Sequence, residues 1–84
     1  MRILKYRFPS MAGVIKLPNP CGIIHIGEQD GVLHLWAEVP NTDREHEVAY
    51  CIIPTGGYVH AGMVHYRTVQ MKDGLVWHVY FEQK

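Results

Sequence analysis

The stretch Tyr66-Arg67-Thr68-Val69-Gln70-Met71-Lys72-Asp73-Gly74-Leu75-Val76-Trp77-His78-Val79-Tyr80-Phe81 decides the fold class. Two β-type runs flank an Asp-Gly pair. That dipeptide suits a tight hairpin because both central residues of a type I′ turn need positive φ. A turn centred on Asp73-Gly74 predicts pairing of Lys72 with Leu75, Gln70 with Trp77, Thr68 with Val79 and Tyr66 with Phe81. The expected core face is then Leu75, Trp77, Val79, Phe81 and Tyr66, with Arg67, Val69, Val76, His78 and Tyr80 on the other.

Upstream, Asp30-Gly31 repeats the signal. Its register predicts Gln29 opposite Val32, Gly27 opposite His34, Ile26 opposite Leu35, His25 opposite Trp36 and Ile24 opposite Ala37. One face collects Ile24, Ile26, Leu33, Leu35, Ala37 and Val39 as core. The other collects Ile23, His25, His34, Trp36 and Glu38 and is aromatic and polar.

Elsewhere Gly and Pro punctuate short runs rich in Val, Ile, Tyr, Trp and Leu, and no window sustains a helical period. Leu4, Tyr6 and Phe8 alternate with Lys5 and Arg7, giving a strand with an apolar and a basic face. Gly13 to Leu17 reads as a second strand, stopped by Pro18-Asn19-Pro20. Glu47 to Ile53 is apolar on both sides, as a central strand is. Pro54 to Gly62 is irregular, with room for one helical turn at most. The expectation is a mainly β fold, a small antiparallel sandwich or half-open barrel of about six or seven short strands, forming a single domain over residues 1–84.

Composition narrows the function classes. A chain of 84 residues buries only a little over ~60% of its unfolded surface, so self-association is a natural supplement. No apolar run approaches the roughly 20 residues of a membrane-spanning helix. Met1 to Arg7 has charges among its apolar residues, unlike a signal or transit peptide, which predicts a cytoplasmic protein. Net charge is zero, whereas a general DNA binder carries a basic excess, so direct DNA binding is not expected. Arg2, Lys5, Arg7 and Lys16 precede any acid, while Glu28, Asp30, Glu38, Asp43, Glu45 and Glu47 meet only Arg44. Such a dipole can orient a partner or a second copy.

The six histidines show no metal-ligand spacing: there is no His-x-His, Cys-x-x-Cys or His-Glu-x-x-His, and no metal is expected. Ser10 lacks a nucleophile elbow, and Cys51 lies in an apolar run where a thiol is inert. Cys21 and Cys51 are expected to be reduced. Thr55-Gly56-Gly57 is the stronger candidate, because successive glycines can turn backbone N–H groups into an anion-holding concavity. Lys5, Arg7, Tyr58, His65 and Arg67 are expected to supply charge and stacking around it, with Thr55 and Arg67 beside one pocket. Arginine with aromatic side chains suits a phosphate-bearing nucleobase, and also a protein hot spot.

Lys5-Tyr6-Arg7-Phe8-Pro9, Leu17-Pro18, Ile24-His25, Leu35-Trp36-Ala37, Thr55-Gly56 and the closing Thr68-Val69-Gln70 and Leu75-Val76-Trp77-His78-Val79-Tyr80-Phe81-Glu82 together resemble small DUF7352-type proteins encoded by bacteriophages and prophages. Where that family often carries Thr-Gly-His-Pro, this chain has Thr55-Gly56-Gly57-Tyr58. The resemblance implies a phage accessory protein made in a bacterial cytoplasm, and it brings no catalytic residue and no cofactor. The leading expectation is therefore a non-enzymatic binder that sequesters a small anionic ligand such as a host nucleotide immune signal, at a subunit interface. The alternative is a protein inhibitor of a host defence protein, of the anti-CRISPR or another anti-defence type. A histidine-dependent phosphate-ester hydrolase ranks third.

Overall fold

In the computed structural model, which describes residues 1–83, seven strands form two antiparallel sheets: β1 (Arg2–Arg7), β2 (Ala12–Pro18), β3 (Gly22–Gln29), β4 (Val32–Val39), β5 (Glu45–Pro54), β6 (Met63–Gln70) and β7 (Val76–Glu82). One sheet has the order β1-β4-β3 and the other β2-β5-β7-β6. No helix occurs among the described residues, Pro54 to Gly62 included.

The two sheets face one another across a shared core. Alternate residues of each strand point inward: Ile15, Leu17, Val48, Tyr50, Ile52, Val79 and Phe81 from the larger sheet, and Ile26, Leu33, Leu35, Ala37 and Val39 from the smaller. Leu35, Ala37 and Val79 are fully buried. The central place of β5, between β2 and β7, explains why its second face is buried too, at Cys51 and Ile53.

The sandwich is tied along both sides by tyrosine hydroxyls. Tyr66 on β6 donates to the Ile23 carbonyl on β3 at 2.6 Å. On the opposite side, Tyr50 donates to the Ser10 carbonyl at 2.9 Å and accepts from the Ser10 N–H at 3.1 Å, fastening the β1–β2 connection. The Tyr50 ring also packs on Phe8, with centroids 4.9 Å apart.

Two registers depart from the expected ones. Asp30 and Gly31 form the β3–β4 turn with φ of 54° and 80°, and Gln29 through His25 pair as expected. A bulge at Ile24 then sets Ile23 opposite Ala37, so Ile23 packs on the core and Ile24 is exposed, the reverse of the alternation reading. The second Asp-Gly is not a two-residue turn. Gly74 N–H bonds the Met71 carbonyl at 3.0 Å, Met71 N–H bonds the Leu75 carbonyl at 2.8 Å, and Asp73 Oδ1 accepts from Leu75 N–H.

That hydrogen bonding makes a five-residue loop, and only Gly74 has positive φ. The observed pairs are Gln70 with Val76, Val69 with Trp77, Thr68 with His78 and Arg67 with Val79. A bulge at Tyr66 then gives His65 with Tyr80. Leu75 is consequently exposed and Val69 buried, correcting both assignments, while Trp77, Val79, Phe81 and Tyr66 do pack on or in the core.

Candidate ligand-binding face

The outer face of the three-stranded sheet is formed by side chains that alternate with its core residues. Because β1 pairs with β4 and β4 with β3, these side chains fall into rows. Lys5 lies opposite Trp36, which lies opposite His25; Arg7 lies opposite His34, which lies opposite Gly27. The basic face of β1 and the aromatic face of β3–β4 are thus one surface. Lys5, Arg7 and His25 are exposed, and Trp36 and His34 half-buried.

The rings are held before any ligand arrives. Trp36 contacts His25 on one side and His34 on the other, with centroids 5.2 Å and 6.1 Å apart. His34 is oriented by a 3.0 Å hydrogen bond from its Nδ1 to the Val32 carbonyl. His25 folds over Gly27, where the missing side chain leaves room for it. Lys5 reaches past β4 to donate to Gln29 Oε1 on β3 at 2.5 Å. An ammonium has three hydrogens and this bond uses one. The surface therefore offers planar rings for stacking beside two cations for a phosphate.

The Thr55-Gly56-Gly57 segment lies on the outer face of the other sheet. Gly56 has φ of 95° and Gly57 N–H closes the turn onto the Pro54 carbonyl at 2.9 Å, so that donor is used internally. Gly57 rests on Ile53: a β-carbon there would stand 2.6 Å from Ile53 Cγ2. A shallow recess of about 170 Å³ beside the turn is lined by Ile53, Thr55, Gly56, Val59, His78 and Tyr80 among others.

A hydrogen-bonded chain starts at this recess and leads from β7 to β6 on the outer face. Thr55 Oγ1 bonds His78 Nε2 at 2.8 Å, His78 Nδ1 bonds Thr68 Oγ1 at 2.9 Å, and Thr68 Oγ1 bonds His65 Nε2 at 2.9 Å. Tyr80 meets the His65 ring edge-on, with centroids 5.3 Å apart.

The expected site residues therefore divide into three places. Thr55, Gly56, Gly57 and His65 belong to the hydrogen-bonded outer face of the four-stranded sheet, and Tyr58 extends into solvent from the same loop at 95% exposure. Lys5 and Arg7 belong to the outer face of the other sheet. Arg67 stacks over the Tyr66 ring at 4.6 Å and bonds the Tyr66 carbonyl; it does not line the recess beside Thr55. His25, His34, Trp36 and Gln29, which complete the surface at Lys5 and Arg7, were not expected as ligand residues. Their signal was the strand parity of the first hairpin, and what was missing was the long-range pairing of β1 with β4.

A larger cleft, about 270 Å³, opens between the sheets at the Phe8 end and is bordered mainly by apolar side chains such as Met11, Leu33, Ile52, Met71 and Trp77. Burial pushes the Cys51 thiol above its ordinary value, which keeps it protonated and unreactive. No group of three or more His, Cys, Asp or Glu side chains is arranged to hold a metal ion among the described residues. No helix among them is long and apolar enough to cross a membrane.

No curated protein and no solved structure matches the chain. A family model does, over residues 1–84, and its description is a domain of unknown function. With the whole length matched, the chain is a member of the DUF7352 family.

Proposed function

We propose that the protein acts by binding, and that it takes a small phosphate-bearing nucleobase ligand on the outer face of the β1-β4-β3 sheet. One observation carries the reading: the register that aligns Lys5 with Trp36 and His25 also aligns Arg7 with His34. Each basic residue is thereby paired across the strands with an aromatic one, and the Lys5 ammonium extends over the same face to Gln29. A base stacked on Trp36 and His25 gains on the order of 1–3 kcal/mol, and its phosphate lies within reach of Lys5 and Arg7. The Thr55 turn takes no part in this reading, since its Gly57 N–H and Thr55 hydroxyl already have partners. In the phage setting that the sequence resemblance implies, the ligand is a host nucleotide immune signal, and binding removes it from its receptor.

A thermal-unfolding screen against nucleoside mono-, di- and triphosphates tests the proposal. Ligand at a hundred times its dissociation constant stabilises the fold by about 2.7 kcal/mol. Trp36→Ala and Lys5→Ala should each remove the shift. A screen with no shift for any nucleotide refutes the reading.

A second reading, a protein inhibitor, is favoured by the exposed edge of β1, where Met1 and Ile3 are 86% and 61% exposed. An unpaired edge bearing apolar side chains is a site for strand addition by a partner. Co-purification from host extract that is lost in Ile3→Lys would favour it.

A further inference from the structure

The cleft between the sheets at the Phe8 end has no part in the nucleotide reading. Its floor is the end of the core: Phe8, Leu33, Ile52 and Met71 are buried yet border the opening. Met11, 46% exposed, and the half-buried Val32 and Trp77 flank them. We infer that this cleft is a second binding site, and that it takes a small amphipathic anion. An apolar chain or ring sits between the sheets, with its charged head at Arg7.

The lining leaves water little to bind. Phe8 N–H bonds the Leu33 carbonyl at 3.3 Å, Ile52 N–H the Met11 carbonyl at 2.7 Å and Met71 N–H the Leu75 carbonyl at 2.8 Å. The Ser10 hydroxyl donates to the Ala12 carbonyl at 2.6 Å. A water held in a cleft needs about two to four polar partners, and these groups are already paired within the fold. An apolar ligand covers such side chains better than solvent does. A cavity of about 150 Å³ holds a benzene ring, so one of about 270 Å³ has room for a bicyclic ring or a chain of roughly eight carbons. The flexible Met11 and Met71 side chains adapt to either shape. Tyr50 holds the opening in place through its two bonds to the Ser10 backbone, which lowers the ordering cost of binding.

Arg7 is the one charged side chain among the lining residues. Among the described residues no hydrogen bond or ion pair engages its guanidinium. The acids nearest the opening do not compete for it. Glu28 accepts from Lys72 N–H at 2.7 Å and Asp73 from Leu75 N–H at 2.9 Å, while Asp30 lies outside the lining. A guanidinium presents its donors in a fork that matches a carboxylate. The cleft shares Arg7 with the outer face, but Lys5, His25, His34 and Trp36 do not line it.

Trp77 reports on the cleft, and Trp36→Leu leaves it as the sole tryptophan of the chain. With Trp36 gone, the outcome does not depend on the nucleotide reading. Octanoate and octan-1-ol, titrated into this full-length variant, should each move Trp77 emission to shorter wavelength in a saturable way. Octanoate should do so at about tenfold lower concentration, because only the acid engages the guanidinium. Arg7→Gln in the same background, at an exposed position, should bring octanoate to the level of the alcohol. Circular dichroism checks that each variant is folded. No saturable shift with either probe overturns the site. Equal binding of acid and alcohol, or a preference for the acid that survives in Arg7→Gln, overturns the assignment of the charged head.

Discussion

The His25 imidazole fills the space in which a Gly27 side chain would begin, with Nε2 2.6 Å from the position of a β-carbon there. The same ring contacts Trp36. One absent methyl group thus determines where a histidine lies on the candidate face, and that dependence can be read out. Gly27→Ala should move the His25 ring off its place beside Trp36 while leaving the core intact. The edge position of β3 and the entropy relieved by removing a glycine keep the stability change within about 1 kcal/mol. Proton NMR of the His25 and Trp36 rings checks it; unchanged shifts in both would show that the ring does not depend on the glycine.

The two tyrosine ties should contribute separately. Tyr50→Phe and Tyr66→Phe each remove one hydroxyl, from opposite sides of the sandwich, at about 1–2 kcal/mol apiece. Their effects on urea unfolding should add to within about 0.5 kcal/mol, as for sites without shared partners. A strongly coupled double variant would mean that the two sides open together.

The observed loop at Met71 to Leu75 makes a prediction opposite to that of a two-residue turn. Leu75→Lys should shift stability by no more than about 0.5 kcal/mol, since Leu75 is 53% exposed. Val69→Lys should cost several kcal/mol or abolish folding, because it buries an unpaired charge. Urea midpoints distinguish the two registers directly.

Gly57→Ala should destabilise by about 1–3 kcal/mol through overpacking, since the added carbon meets Ile53 Cγ2 and, at 3.1 Å, the Pro54 carbonyl. Ile53→Ala in the same chain should recover part of that loss. A double-mutant cycle with no coupling would place the strain elsewhere.

Alkaline pH should weaken the fold through two groups. Burial raises the Cys51 thiol above its ordinary 9.0. Burial first, then the negative charges of Cys21 and Glu45, raises the Tyr6 phenol above 10.0. The folded state therefore holds both protons more tightly than the unfolded chain does. This contribution is fully present below pH 9 and is lost as pH rises through the folded values. Urea midpoints measured between pH 7 and 11 should fall above pH 9, with a shallower fall in Cys51→Val and Tyr6→Phe. The same slope in both variants would assign the effect to other groups.

What the sequence made legible is mostly local. Asp30-Gly31 carries its own backbone requirement, and five consecutive pairs from Gln29 to His25 follow from it. Alternation fails at Ile24 and Tyr66, where a bulge adds a position that no residue type announces. Asp73-Gly74 looks the same on paper, yet there the aspartate side chain caps Leu75 N–H and lengthens the loop. The candidate face was half visible, as a basic face in one segment and an aromatic face in another. Joining them takes a strand pairing between residues about thirty positions apart, and local propensity holds no information on that. Lys5 and Arg7 were consequently drawn to the glycine turn instead of to Trp36.

The bulges at Ile24 and Tyr66 lie on the two strands that are joined where the Tyr66 hydroxyl reaches the Ile23 carbonyl. Each works as a one-letter frame change in the inward–outward code of its strand. Removing the extra residue would leave Ile23 opposite Ala37 beside His25 opposite Trp36, and His65 opposite Tyr80 beside Arg67 opposite Val79, so the inner and outer identities on both sides would stand. A family member with one residue fewer at Ile24 can therefore keep the rest of that strand unchanged, whereas one without Tyr66 loses the hydroxyl bond between the sheets. A one-residue gap at a regularly paired position of either strand would instead exchange the inner and outer identities beyond it, which a gap in Asn41 to Arg44 would not.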